Sequence, residues 1–197
     1  EALQTYLTLL KRELEKYPDR FFQDTHLNGI AVVKNLTVQG QRRSAMPDVF
    51  TGILYFDFTR GLNNPIYQQH VIHHEYFHMF GGAYHGNPYL MDPDWAALNT
   101  PGFTYGNGGA TMQTAPNAAV INHPLPGFVD LYATSGLEED KAEIYATFFV
   151  PSEWAKVAEW IKTDDILARK VAALKAFLRE ICPEMDEAFW TRLPQDQ

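Results

Sequence analysis

Five consecutive residues, His74-Glu75-Tyr76-Phe77-His78, combine two imidazoles and a carboxylate at a spacing that suits metal-assisted hydrolysis. On an α-helix, this spacing brings His74 and His78 to one face about a turn apart, where both can bind one metal ion. Glu75 projects to a neighbouring part of that surface and can take a proton from an attacking water. Zinc would lower the pKa of that water to about 7 and polarise a scissile carbonyl. The motif therefore predicts a zinc hydrolase with His74 and His78 as ligands and Glu75 as general base.

A catalytic zinc ion usually has three protein ligands, so the chain must supply one more. Glu139 is the first candidate, because it lies four residues before Glu143 in a segment that predicts a helix. Glu139 would bind the metal, while Glu143 would accept the remaining N–H of a ligand histidine and fix its ring orientation. His85 is one alternative, since it falls one residue after the last position of the pattern H-E-x-x-H-x-x-G-x-x-H. Another carboxylate, such as Glu143, is a further alternative.

The pairing of the His74–His78 motif with the later Tyr132, Glu139 and Glu143 resembles the gluzincin metallopeptidases. It is most similar to the lethal-factor-type branch and to the bacterial zinc-binding metallopeptidases. In the lethal-factor type, a tyrosine seven residues before the glutamate ligand faces the zinc. The resemblance covers the stretch from Gly52 to Phe149, and the long insert between the motif and Glu139 departs from the family pattern.

The resemblance implies a zincin-like fold, one zinc ion per chain and a peptide or protein substrate. It also implies a role for each matched residue: His74, His78 and Glu139 as ligands, Glu75 as general base, Tyr132 as donor to the oxyanion, and Glu143 beside a ligand histidine.

Several of these residues also have structural interpretations. The chain contains ten tyrosines, so Tyr132 is set apart from an ordinary core residue only by its spacing to Glu139. His70 lies one turn before His74 and could line a cleft, although a partly exposed or core histidine is the more common outcome. Glu138 and Asp140 are predicted to be solvated residues of a first helical turn, where the helix dipole favours acidic groups.

The whole chain sets limits on its partners. Its 197 residues predict one domain, residues 1–197. The formal net charge of −8 argues against nucleic acid, and no apolar run is long enough to span a membrane. A single cysteine, Cys182, permits no internal disulfide. The start at Glu1 without Met agrees with removal of a targeting segment, and analogy with the resembling bacterial proteins favours a secreted or cell-surface location.

The elements that must position the site predict an α+β fold, with a small mixed sheet, the motif helix and a helical C-terminal part. Leucines at helical spacing up to Tyr17 predict an opening helix. Residues 30–33 and 51–58 predict strands, with a polar turn region at residues 38–44 between them.

Helix start and stop signals place the remaining elements. The motif helix is predicted to begin at Asn64-Pro65 and to stop at Gly81-Gly82. Ser135 and Glu138 form an S-x-x-E pattern that predicts a capping box for the helix of Glu139. That helix is expected to run to Val150, and further helices are predicted around residues 152–162 and 165–181.

Residues 86–127 are dense in Gly, Pro and Asn and separate the two halves of the candidate site. Such a segment predicts either a wall or flap of a substrate cleft, or a structural loop anchored by its aromatic residues. Two alternatives stand beside a zinc endopeptidase. One is a binding or assembly module that holds zinc without hydrolysis, against which the intact Glu75 argues, and the other is a metal-dependent hydrolase of non-peptide amides.

Overall fold

Helices carry most of the chain, and a small sheet precedes the motif helix in sequence. The structure is a computed structural model that describes residues 1–85, 92–112 and 115–193, with residues 82–85 described as backbone only. The α-helices of the described residues are α1 (Ala2–Leu14), α2 (Asp19–Asp24), α3 (Pro65–His85), α4 (Pro93–Ala96), α5 (Leu137–Phe149), α6 (Pro151–Trp160), α7 (Asp165–Ile181) and α8 (Glu187–Arg192). The strands are β1 (Gly29–Val33), β2 (Thr37–Val38), β3 (Gln41–Arg42), β4 (Ala45–Asp48) and β5 (Ile53–Asp57).

The sheet is small and mixed, which confirms the predicted α+β class. Its strand order is β1-β5-β4, with β1 parallel and β4 antiparallel to β5. The predicted strands correspond to β1 and β5, whereas β4 was not predicted. Pro47 interrupts the strand signal of β4, and a proline is tolerated there because β4 lies at an edge of the sheet.

The polar region predicted as a turn contains a second, two-stranded sheet. Strands β2 and β3 pair antiparallel around Gln39 and Gly40, whose φ angles are 50° and 78°. Positive φ at both central residues is the requirement of a tight two-residue hairpin. The turn prediction was therefore correct at its centre and missed the short strands beside it.

Helix α3 carries the His74–His78 motif near its middle. Asn64 accepts a hydrogen bond from the backbone N–H of Tyr67 at 3.1 Å, and Pro65 is the first helical residue, as predicted. The predicted stop at Gly81-Gly82 was wrong, because the helix continues to His85. A glycine inside a helix costs only about 1 kcal/mol relative to alanine, and burial of Phe80 one residue earlier can offset that cost.

Helix α5 packs along α3 and is buried over most of its length. The predicted capping box was wrong, since Ser135 belongs to a 3₁₀ helix (Tyr132–Ser135) and Gly136 occupies the N-cap. The Ser135 hydroxyl donates to the carbonyl of Tyr132 at 2.7 Å instead. The two predicted helices that follow correspond to α6 and α7, and the short α8 was not predicted.

One hydrophobic cluster receives side chains from the N-terminal helices, the sheet, α3 and the C-terminal helices. At its centre, Tyr76, Phe77 and Phe80 of α3 pack against Tyr145 of α5 and Phe21 of α2. This core fixes α3 against α5 and so sets the distance between the motif and Glu139. Among the described residues, no helix is both long and apolar enough to cross a membrane.

Candidate metal centre

Helices α3 and α5 bring three potential ligands together. His74 Nε2 lies 3.0 Å from His78 Nε2, and each of these nitrogens lies 3.1 Å from Oε2 of Glu139. Ligand atoms about 2.0–2.1 Å from a tetrahedral zinc ion lie roughly 3.3 Å apart, so this triangle is close to the expected size. The three residues could therefore hold a metal ion.

The triangle is shielded from solvent but not sealed. The side chains of His74, Glu139 and His78 keep 8%, 12% and 16% of their accessible surface. A catalytic metal needs one open position for water or substrate, whereas a structural site is closed. The partial exposure fits an open site.

The carboxylates around His74 favour its protonated form in the ion-free state. Burial alone would lower the pKa of His74, but Glu139 and Glu143 outweigh burial and raise that pKa to about 10. Burial opposes the ionised form of Glu139 as well, yet His78 and His74 hold its pKa well below the usual range. A metal ion must displace the proton from the His74 nitrogen, so its affinity should rise with pH.

Glu75 lies on α3 beside both motif histidines and is partly exposed. Burial raises the pKa of its carboxyl, while the charges of His74 and His78 act in the opposite direction. A carboxylate whose pKa moves towards neutrality is a better proton acceptor at physiological pH than an ordinary one. The role of Glu75 as general base stays a prediction.

Tyr132 reaches the same centre from the 3₁₀ helix that precedes α5. Its hydroxyl donates to Oε1 of Glu139 at 3.3 Å, and its ring centroid lies 6.0 Å from that of His74. Burial, and then the charge of Glu139, raises the pKa of the phenol above its ordinary value, so it stays a hydrogen-bond donor. The structure brings Tyr132 next to Glu139 and His74, and its role as oxyanion donor stays a prediction.

Glu143 lies behind His74. Its Oε1 is 3.0 Å from His74 Nδ1, and its Oε2 is 2.9 Å from Nε2 of the buried His70. Both pairs are ion-pair contacts. The carboxylate lies beside the candidate ligand His74, and a second imidazole faces its other oxygen.

Sequence reasoning missed two carboxyl groups of this buried layer. Glu153 of α6 lies 2.7 Å from Nδ1 of His70. Asp130 accepts the backbone N–H of Ala133 at 2.8 Å, and burial and then the charge of Glu143 raise the pKa of Asp130 well above its ordinary value. Only the position of His70 one turn before His74 gave a signal, and no sequence spacing pointed to Glu153 or Asp130.

The prediction of a solvated Asp140 was wrong. The residue is fully buried and accepts hydrogen bonds from Lys170 Nζ (2.7 Å), Trp95 Nε1 (2.9 Å) and the Tyr105 hydroxyl (2.6 Å). A cationic partner and two neutral donors offset the free-energy cost of burying Asp140. Glu138, from the same turn, remains partly exposed. The contacts of Asp140 anchor the described part of residues 86–127 to α5.

Part of the same segment also reaches the candidate centre. A Cβ placed on Gly109 would lie 2.1 Å from the Tyr132 hydroxyl and 2.2 Å from Oε1 of Glu139. The neighbouring backbone is tied down, since the N–H of Gly108 donates to the carbonyl of Ser135 at 2.6 Å. The described part of the segment thus acts both as an anchored loop and as one wall of the site.

The alternative third ligand, His85, has its side chain outside the described residues. Residues 86–91 and 113–114 of the predicted wall or flap also lie outside them. A second group of possible ligands, formed by His70, His74 and Glu143, shares His74 with the first group.

The chain was also compared with known proteins. No protein-family model, no curated protein and no solved structure matches it. The geometry of the site must therefore support any functional assignment by itself.

Proposed function

We propose that the chain is a zinc-dependent endopeptidase of the gluzincin type with a zincin-like fold. The observation that carries the proposal is the convergence of His74, His78 and Glu139, with the Tyr132 hydroxyl hydrogen-bonded to Glu139. Glu75, between the two histidines in sequence, supplies the carboxylate that such hydrolysis needs. This group of residues combines a metal site with a candidate base and a candidate oxyanion donor.

The donor set fits zinc among the common metals. Two imidazole nitrogens and one carboxylate oxygen form a His₂Glu set, which is one of the ligand sets of catalytic zinc. Calcium and magnesium prefer sites built from oxygen ligands. Zinc is therefore the ion we expect His74, His78 and Glu139 to hold.

The residues of the chain can divide the work of hydrolysis between them. When bound, zinc would lower the pKa of a water and polarise the scissile carbonyl. Glu75 would accept the proton of the attacking water and deliver it to the leaving amine. The Tyr132 hydroxyl would donate a hydrogen bond to the oxygen that becomes negatively charged. Glu143 would hold the ring of His74 in orientation.

The sheet offers a place for an extended peptide. Strand β4 is an edge strand that packs against α3, and the hydroxyls of Ser44, just before β4, and Tyr67 of α3 hydrogen-bond to each other. An edge strand has unpaired backbone groups to which an extended segment can bind as an additional strand. This edge beside the motif helix supports a peptide over a small amide as substrate.

The proposal is tested by peptide cleavage. The purified zinc-loaded protein is incubated with a mixture of denatured proteins, and new termini are identified by mass spectrometry. We expect cleavage by the wild type and by Glu138→Ala, a control on the same helical turn as Glu139. We expect none after chelation of zinc, and cleavage reduced by about 10²- to 10⁴-fold in Glu75→Ala.

Equal cleavage by Glu75→Ala would contradict the assigned base. Bound zinc without cleavage of any protein would instead favour the non-catalytic module or a hydrolase of non-peptide amides. These two are separated by assaying small amide substrates with the same pair of variants.

A further inference from the structure

We propose that His70, anchored by Glu153, is a positioning residue that holds Glu143 in place and thereby orients the ligand His74. The inference rests on the metal site of the proposed function and does not depend on whether the substrate is a peptide. It extends the usual pairing of a ligand histidine with one carboxylate by two further buried groups.

Four side chains from three helices form a continuous polar chain. Glu153 of α6 lies 2.7 Å from Nδ1 of His70, and Nε2 of His70 lies 2.9 Å from Oε2 of Glu143. The other oxygen of Glu143, Oε1, lies 3.0 Å from Nδ1 of His74. Glu143 therefore sits between two imidazoles, with one oxygen for each ring. Loss of His70 would remove one of the two contacts that Glu143 makes to imidazole nitrogens.

The surroundings of His70 are acidic. Glu143, Glu153 and Asp130 are three buried carboxyl groups around one imidazole. Buried carboxylates are costly unless a cation or hydrogen-bond donors face them. The two ring nitrogens of His70 face these groups, since Nδ1 lies 2.7 Å from Glu153 and Nε2 lies 2.9 Å from Glu143. Without His70, repulsion between the carboxylates would be expected to move Glu143 away from His74.

A second metal ion is the competing explanation, because His70, His74 and Glu143 also lie close enough to share one. His74 already directs Nε2 to Glu139 and His78, so a second ion would require its Nδ1 to lose a proton as well. An imidazole that binds one metal normally keeps the proton on its other nitrogen and donates it to an acceptor. Glu143 is that acceptor here, which favours the polar chain over a second ion.

The experiment measures the zinc dissociation constant of the purified full chain by competition with a chelator. The variants are His70→Leu, His70→Gln and Glu153→Gln, each confirmed as folded by circular dichroism. His73→Gln is the matched control, because His73 is also buried on α3 and also contacts a glutamate, Glu13, but points away from the ligands.

We expect His70→Leu to weaken zinc binding by about 10- to 100-fold, the range for changes to groups that support a metal ligand. His70→Gln should recover part of that loss, because its amide can still donate to Glu143. Glu153→Gln should weaken binding less than His70→Leu. His73→Gln should keep the wild-type dissociation constant while melting at a lower temperature.

Three results would overturn the inference while leaving the proposed function in place. The first is a zinc dissociation constant of folded His70→Leu within about twofold of the wild-type value. If His70→Leu does not fold, the same criterion applies to His70→Gln and Glu153→Gln. The second is an equal loss of affinity in His73→Gln, which would indicate general loosening of α3. The third is two zinc ions per wild-type chain and one in the His70 variants, which would assign these residues to a second ion. A wild type that binds no zinc would overturn the proposed function together with this inference.

Discussion

Helix α3 carries two histidine-glutamate clusters on different sides, and only one of them has the features of a metal site. The structural cluster consists of His73, Glu13, Tyr17, Lys16 and Gln69. The ligand cluster consists of His74, His78 and Glu139, with His70, Glu143, Glu153 and Asp130 behind them. His73 and His74 are adjacent in sequence, so the difference between the clusters arises from the packing around each side of the helix.

The structural cluster satisfies its own polar atoms. His73 Nε2 lies 3.0 Å from Oε2 of Glu13, and His73 Nδ1 lies 2.6 Å from the Tyr17 hydroxyl. Glu13 also accepts from Gln69 at 2.7 Å and forms an ion pair with Lys16. Both nitrogens of His73 have a partner, so none is left to bind a ligand.

The ligand cluster directs its polar atoms at one another instead. Nε2 of His70 and Nδ1 of His74 each face one oxygen of Glu143, at 2.9 Å and 3.0 Å, and Nε2 of His74 and of His78 face Glu139. Oδ2 of the buried Asp130 has no hydrogen bond among the described residues, which is rare for a buried polar group and commonly marks a functional site. The contrast teaches that the groups packed around each histidine, rather than the residue type, separate a structural histidine from a candidate ligand.

The largest expected effect concerns the base in the ligand cluster. Glu75→Ala should lower kcat/KM by about 10²- to 10⁴-fold, because proton transfer to a positioned side chain contributes that much. Zinc content should be unchanged, since Glu75 is not a ligand. Steady-state kinetics on a validated substrate, with metal analysis of the same sample, checks both statements. A variant with full activity would remove Glu75 from the mechanism.

Tyr132→Phe should lower kcat by about 10²- to 10³-fold with little change in KM, as expected for loss of one oxyanion donor. The phenylalanine keeps the ring that packs near His74 and removes only the hydroxyl. Kinetics of the variant beside a control in the structural cluster, Tyr17→Phe, checks the effect. A kcat equal to that of the wild type would assign Tyr132 to packing alone.

Changes in the structural cluster should affect stability and leave zinc binding intact. Glu13→Gln should lower the free energy of unfolding by about 1–3 kcal/mol at pH 7, the cost of weakening charged hydrogen bonds. Thermal melting and zinc titration of the same variant test this separation. A marked loss of zinc affinity would show that the two clusters are coupled.

The same cluster predicts a pH dependence for the ion-free protein. Burial opposes ionisation of Glu13, but hydrogen bonds from His73, Gln69 and Lys16 outweigh burial and lower the pKa of Glu13 to about 2. Burial lowers the pKa of His73 to about 4. Both pKa values are depressed, so the unfolded chain binds more protons, and stability should fall as pH falls from about 6.5 to 2. Glu13→Gln should lose the part of this slope between about pH 4.5 and 2. Melting curves with a chelator present measure it, and equal slopes would contradict the assignment.

The smallest expected effect concerns the wall of the ligand cluster. Gly109→Ala should weaken zinc binding by a few fold, because its Cβ would press on the Tyr132 hydroxyl and on Glu139. Gly102→Ala offers a control, since a Cβ there has nothing within 4 Å, although its φ of 86° adds some backbone strain. Equal zinc affinities in both variants would mean that the backbone around Gly109 shifts without displacing Glu139.

Local sequence patterns predicted the parts of the site that helical periodicity controls. His74 and His78 share a face of α3 because they lie one turn apart, and Glu139 and Glu143 share a face of α5 for the same reason. Tyr132 was selected by its distance from Glu139 along the chain. These residues do meet in the structure, while their catalytic roles stay predictions.

The features that sequence reasoning missed depend on contacts between distant segments. Glu153 meets His70 across 83 residues, and Lys170 meets Asp140 across 30, so no local pattern could indicate either pair. The helix also passed through Gly81 because core packing outweighed a local preference. Strand β4 formed despite Pro47 because its partner β5 supplied the pairing.

Zinc content tests the central claim most directly, because the whole account depends on the triangle of His74, His78 and Glu139. Elemental analysis is performed on wild type, Glu139→Ala and Glu138→Ala, each confirmed as folded and dialysed against the same weak chelator. The account predicts one zinc ion per chain in the wild type and in Glu138→Ala, with a marked loss in Glu139→Ala. Equal zinc in all three would contradict Glu139 as the third ligand, and no zinc in any would contradict the metal centre itself.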